Sequence, residues 1–90
     1  MIQNKYTLYF SYHTIKQRNE AIKFIAKYFD ATIKFGIGVY KKQLEPSIIV
    51  EILYGIAVKK IEALCRLIKA ICEQDCILLT VEHNIKCELI

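Results

Sequence analysis

The four cysteines and two histidines are the side chains of this 90-residue chain best suited to metal or nucleophilic chemistry. Cys72 and Cys76 are spaced C-x-x-x-C, with His83 and Cys87 downstream, so four soft ligands fall within one short stretch. The spacing fits no zinc ribbon or finger, because Cys72 belongs to the apolar stripe of a helical pattern and Cys76 begins a strand. Cys65 and Cys72 lie a heptad apart on that helix, roughly 10 Å along its axis. That separation is beyond disulfide reach, so the cysteines read as buried thiols in a reducing compartment, with no metal and no cofactor.

Nucleophilic catalysis needs a hydroxyl or thiolate beside a base. His13 falls where a strand gives way to a helix, next to Thr14, which has a capping role, and His83 falls in a turn. Glu45, Glu51, Glu82 and Glu88 are single residues at alternating polar positions, where solvated side chains belong. Residues 35–41 contain a G-x-G, but the third glycine of a phosphate cradle is missing and the segment continues as a strand. No catalytic residue is assigned on these grounds, and the expectation is a protein that is not an enzyme.

The elements that carry these residues follow from periodicity. Residues 5–12 alternate Tyr6, Leu8, Phe10, Tyr12 against Thr7, Tyr9, Ser11, the period of two of a strand with one buried face. Thr14 and Gln17 have the spacing of a capping box, so a helix starts at Ile15, with Ile22, Ile25, Ala26 and Phe29 on its apolar side, and ends near Asp30. Residues 32–40 alternate again, Ile33, Phe35, Ile37 and Val39 on one face and Gly36 and Gly38 on the other. Glycines inside a strand imply a bulge or something lying close over it. Residues 41–46 are the expected turn, with Pro46 at a strand edge or just before a strand, and residues 47–54 form the partner strand of a hairpin. Gly55 breaks that pattern, and Val58, Ile61, Leu64, Cys65, Ile68, Ile71 and Cys72 then recur at helical spacing. A short strand at 77–81, a turn at 82–84 and a last strand at 85–90 complete the chain.

This order predicts one α+β domain over residues 1–90, ferredoxin-like, with two helices on one face of a four- to five-stranded antiparallel sheet. The opposite sheet face is expected to be open. Residues 34–40 resemble the longer signature of RNA-recognition motifs, but on the second strand instead of the third and with Ile37 where an aromatic or small residue is expected. A second resemblance is carried by Gly38-x-Tyr40-x-x-x-x-Glu45-x-Ser47, with Gln74 shortly before a later strand. It is similar to a pattern, G-x-aromatic-x-G-x-x-E-x-S, of small uncharacterised proteins encoded by bacteriophages and related mobile elements. Lys42 stands where the second glycine of that pattern falls. The resemblance implies a setting in a phage or mobile element and no particular activity.

Composition completes the expectations. Hydrophobic residues make up 54% of the chain, more apolar material than so small a core consumes. The surplus is expected on the helix-free face, with Tyr9, Tyr40, Ile49 and Leu53 forming an interface and Lys41, Lys42 and Glu45 touching a partner. The leading reading is therefore a non-enzymatic protein-binding module, a homodimer, which in a phage setting acts on a host protein such as a defence component. The net charge of +4 is dispersed along the chain. The alternatives are single-stranded nucleic-acid binding, with Tyr9 on the open face and Lys34, Lys41 and Lys42 meeting phosphate, and a small-ligand-sensing dimer. No run of about 20 apolar residues is present to cross a membrane, and the start lacks a secretory pattern, so a cytoplasmic protein is expected, in the host cell if phage-encoded.

Overall fold

Alternation of large apolar residues on two strands builds the core. The computed structural model describes residues 2–54 and 58–88, as β1 (Ile2–Phe10), α1 (Ile15–Tyr28), β2 (Thr32–Tyr40), β3 (Gln43–Tyr54), α2 (Val58–Ile71) and β4 (Leu78–Lys86). The sheet is antiparallel with strand order β2-β3-β1-β4, the ferredoxin-like split βαβ arrangement. Tyr6, Leu8 and Phe10 of β1 and Ile48, Val50 and Ile52 of β3 are buried from the two central strands. Against them pack Ala21 and Ile25 of α1 and Ile61, Leu64 and Ile68 of α2, with Cys72 just past its end. Each fully buried aliphatic side chain of this kind contributes roughly 1.5–3 kcal/mol.

The helix ends are closed locally. Gln17 donates its backbone N–H to Thr14 Oγ1 at 3.1 Å, and its side-chain oxygen accepts from the Thr14 N–H at 3.0 Å, so the expected capping box is present. The buried face of α1 is centred on Ala21 and Ile25, whereas Ile15 in the first turn is exposed. At the end of α2 the Gln74 N–H reaches Lys69 O at 3.0 Å and the Glu73 N–H reaches Ala70 O at 3.4 Å. This is a Schellman closure with Glu73, at φ 51°, in the left-handed position that glycine usually takes.

Three details differ from the sequence reading. The turn is only Lys41-Lys42, with φ of 51° and 63°, a tight hairpin of the type that matches strand twist. Pro46 consequently lies inside β3. Pairing of β1 with β3 stops at Phe10–Ile48, and the Pro46 carbonyl accepts from Ser11 Oγ at 2.6 Å, so the proline points its missing N–H past the end of β1 and no ladder bond is lost. The expected turn at 82–84 is absent, because β4 runs on to Lys86 along β1 and absorbs the irregularity as a shift opposite Gln3–Lys5, with Asn84 at φ 58° and its N–H on Asn4 Oδ1. The expected break at Gly55, the side chains of Tyr54 and Val58, and the end of the last predicted strand, Leu89 and Ile90, lie outside the described residues.

β2 carries no bulge. Its register with β3 runs unbroken from Thr32–Glu51 to Tyr40–Gln43.

Candidate functional site

The topology gathers three chain segments at one end of the sheet: the end of β1, the β2–β3 hairpin, and the connection from α2 to β4. Between them lies a cleft of about 440 Å³, within the size range of small-molecule sites. Tyr9 and Ser11 come from the first segment, Gly38, Tyr40, Glu45 and Ser47 from the hairpin, and Glu73, Gln74 and Asp75 from the connection.

Strand register decides which side chains face one another. Gly38 pairs with Glu45 and Gly36 with Ser47, so on the helix-free face two bare positions lie beside Glu45 and Ser47. Tyr40 follows Gly38 on the same face and stands at the hairpin end, with Lys41 Nζ 5.4 Å from its ring centroid. The connection is held in place from the other side. His13 Nε2 lies 3.2 Å from the Glu73 carbonyl, and Gln74 donates from Nε2 to Cys72 O at 3.1 Å. The cleft therefore combines the carboxylates of Glu45, Glu73 and Asp75 with two tyrosines, two serines and an amide, in a chain whose overall charge is +4. Carboxylates and aromatic ring faces are groups that can accept a cation.

A second, more open depression at the other end of the sheet is lined by Lys5, Asp30, Thr32, Glu51, Leu53 and Ile85. Its central carboxylate is already neutralised. Glu51 is bonded by Lys34 at 2.7 Å and Lys5 at 2.5 Å, and these contacts, Lys34 first, hold its pKa down to about 2.

The residues singled out from sequence divide between these regions. Tyr9, Tyr40 and Glu45 meet in the cleft, together with Gly38, Ser47 and Gln74 of the phage-type pattern; Lys41 and Lys42 form the adjoining turn. The position of Lys42, where that pattern has glycine, is a left-handed one, which accounts for the glycine. Ile49 and Leu53 lie on the helix-free face away from the cleft, with Glu51 and its two lysines between them. A more exposed apolar row lies on the other face of the hairpin: Phe35, Ile37, Val39 and Leu44 are 61–76% exposed. Sequence reasoning missed His13, Glu73 and Asp75 as cleft residues, since the cleft forms only where the α2–β4 connection returns to the end of β1 and the hairpin. All four cysteines are free thiols. Burial, and then the charge of Glu20, pushes the Cys72 thiol up to about 11, and burial likewise raises Cys65. Among the described residues no group of three His, Cys, Asp or Glu side chains is placed to hold a metal ion, and no helix is long and apolar enough to cross a membrane.

No protein-family model and no curated protein matches the chain. Its fold is found in solved structures. A DUF3240 family protein from Shewanella baltica OS155 superposes with a TM-score of 0.69 at 8% identity, covering 100% of this chain and 99% of that one. A phage SAM lyase, solved in its apo state, superposes with a TM-score of 0.62 at 14% identity, covering 99% of this chain and 93% of that one. These likenesses establish the fold. They also correct one expectation: the sequence was read as that of a non-enzyme, yet a chain of this fold and size is an enzyme. The lack of a triad or metal constellation is therefore no argument against catalysis here.

Proposed function

We propose that the cleft binds S-adenosylmethionine (SAM) and that the chain acts on it as a lyase. The observation that carries this reading is that Tyr40, Glu45 and Ser47 of the hairpin and Gln74 of the α2–β4 connection line one acidic cleft, in a chain that shares the fold of a phage SAM lyase over 99% of its residues. A sulfonium is a permanent cation with no N–H to donate, so only negative charge and the faces of aromatic rings recognise it. Glu45, Glu73 and Asp75 supply the charge, Tyr9 and Tyr40 the rings, and Ser47 and Gln74 the hydrogen bonds for the polar remainder. One face of Tyr40 already takes the Lys41 ammonium, which leaves the other for substrate.

The reaction asks little acid–base chemistry of the protein. When a carbon–sulfur bond of SAM breaks, both electrons return to sulfur and the charged sulfonium becomes a neutral thioether. The carbon regains its pair from a neighbouring C–H, whose proton Glu45 accepts, or from the substrate's own carboxylate, so neither water nor an outside nucleophile is consumed. Catalysis then rests on holding one substrate conformation. Calorimetric titration with SAM, paired with mass-spectrometric detection of the thioether product, tests the reading. A folded chain that neither binds nor converts SAM refutes it.

A second reading, contact with another protein and first of all with a second copy, is favoured by the exposed row of Phe35, Ile37, Val39 and Leu44. Through their partners Ile48, Pro46 and Leu44 the β2 residues share the face that bears the core, yet they stay largely exposed, with Arg18 of α1 reaching over Phe35 at 5.5 Å from its ring centroid. A contiguous apolar patch larger than a few hundred Å² on a small domain marks an interface. This reading adds to the first, since the row and the cleft use opposite faces of the hairpin.

A further inference from the structure

Gly36 and Gly38 are not explained by the chain itself. Neither has positive φ, so no backbone conformation demands glycine. No atom lies within 4 Å of where a Cβ on Gly36 would stand, and a Cβ on Gly38 would meet Ser47 Cβ and Oγ at 3.6 and 3.8 Å, an ordinary contact. The register has no bulge at either position. Every neighbour on β2 is a good strand former or a lysine, and glycine weakens a strand interior. Two glycines that cost the strand, and that nothing inside the molecule requires, indicate that something from outside approaches the backbone there.

We propose that the bare strip over Gly36 and Gly38 seats the flat ring system of a nucleoside, which on the SAM reading above is its adenine base. On the helix-free face the strip has a floor of glycine peptide planes and the Ser47 side chain. Lys34, tied to Glu51 at 2.7 Å, closes one end and Tyr40 the other. Two residues along a strand span about 7 Å, the length of a purine, and Gly38 belongs to both the strip and the acidic cleft. A base lying on the glycines thus projects its ribose and sulfonium toward Glu45, where the negative charge is. The intact Lys34–Glu51 pair at the rim makes the strip a poor seat for the apolar face of a second sheet.

The proposal rests on the SAM reading, and the test separates the two. The native chain, Gly36→Val, Gly36→Ala and Gly38→Ala are titrated with adenosine, with SAM, and with S-methylmethionine, a sulfonium amino acid that lacks the nucleoside. The native chain binds all three. The valine and alanine variants melt at or above the native temperature, since they gain strand propensity, yet bind adenosine and SAM at least about tenfold more weakly, and the two Gly36 variants, altered outside the cleft, bind S-methylmethionine as the native chain does. Amide shifts at Gly36 and Gly38 on adding adenosine to the native chain report the same seat without any substitution. Adenosine affinity within a factor of about two of native in all variants overturns the strip while leaving the SAM site standing. A native chain that binds S-methylmethionine and SAM equally, and adenosine not at all, does the same. If the variants keep adenosine binding but change the mass found by light scattering, the strip seats a second copy and the proposal fails. No binding of SAM to the native chain removes both readings.

Discussion

Gly38 stands directly across the β2–β3 ladder from Glu45, so this carboxylate has no side chain directly opposite it on β2. Among the described residues Glu45 makes no ion pair, whereas Lys5 and Lys34 neutralise Glu51. The two glutamates of one strand thus differ in surroundings: Glu51 is tied to two lysines, and Glu45 lines the cleft.

The Glu51 network makes a pH prediction. Its pKa in the folded chain is lowered to about 2 from an ordinary 4.5, so the folded state favours the ionised form. The stabilisation is fully present above about pH 4.5 and is lost as pH falls toward 2. NMR titration of the Glu51 carboxyl gives a midpoint well below the ordinary value, and Glu51→Gln flattens the acid side of the stability profile. An ordinary midpoint means the two lysines do not engage it in solution.

Lys42 occupies a left-handed turn position that favours glycine. Lys42→Gly therefore raises stability by about 1 kcal/mol, read as an increase in melting temperature of roughly 4–8 °C for a domain of this size. A decrease shows that the hairpin does not use this turn.

Thiol reactivity separates the cysteines by environment. Cys76 is exposed at the cleft, whereas Cys72 is buried with its pKa pushed up to about 11. Under native conditions an aromatic disulfide reagent modifies Cys76 first and Cys72 only as the chain unfolds. Protection of Cys76 by SAM places the ligand in the cleft as well. Rapid native modification of Cys72 means that α2 does not seal that thiol against α1.

Self-association is tested on the two faces separately. Ile37→Asp alters a side chain that is 76% exposed on the apolar hairpin row, and Leu53→Asp alters one that is 47% exposed on the helix-free face. Both variants stay folded. Light scattering at high micromolar concentration shows an oligomer for the native chain and a monomer for Ile37→Asp, because a charge buried at a contact without a partner is costly. Dissociation by Leu53→Asp alone moves the contact to the helix-free face with Tyr9 and Ile49, and a native chain that is already monomeric removes it from both.

The architecture was legible because local period and burial agree. Tyr6, Leu8 and Phe10, and Ile48, Val50 and Ile52, alternate as a one-sided sheet requires, and Thr14 with Gln17 marks a helix start by chemistry confined to one turn. Features set by pairing were not legible. The run of β4 through Glu82–Asn84 depends on an irregular register opposite Gln3–Lys5, and residues 82–84 taken alone read as a turn. Of the cleft, Tyr9, Tyr40 and Glu45 were singled out as contact residues, and Ser47 and Gln74 were visible through their resemblance to a phage-type pattern. Glu73 and Asp75 were hidden, because their place at the cleft is created by the return of the α2–β4 connection to that end of the sheet. The expectation of a non-enzyme is overturned by a phage SAM lyase of the same fold; a search for nucleophile, base and metal is blind to a reaction whose leaving group arrives already charged on its substrate.

The most direct test of the SAM reading is a calorimetric titration of the native chain and of Glu45→Gln with SAM, with the thioether product followed by mass spectrometry in the same samples. The glutamine variant keeps its fold and melting temperature, since Glu45 has no side chain directly opposite it on β2. The account predicts saturable binding at one site per cleft and product formation by the native chain, with affinity or turnover lower by at least about tenfold in Glu45→Gln. A folded native chain that shows no heat of binding and no product at millimolar SAM contradicts it.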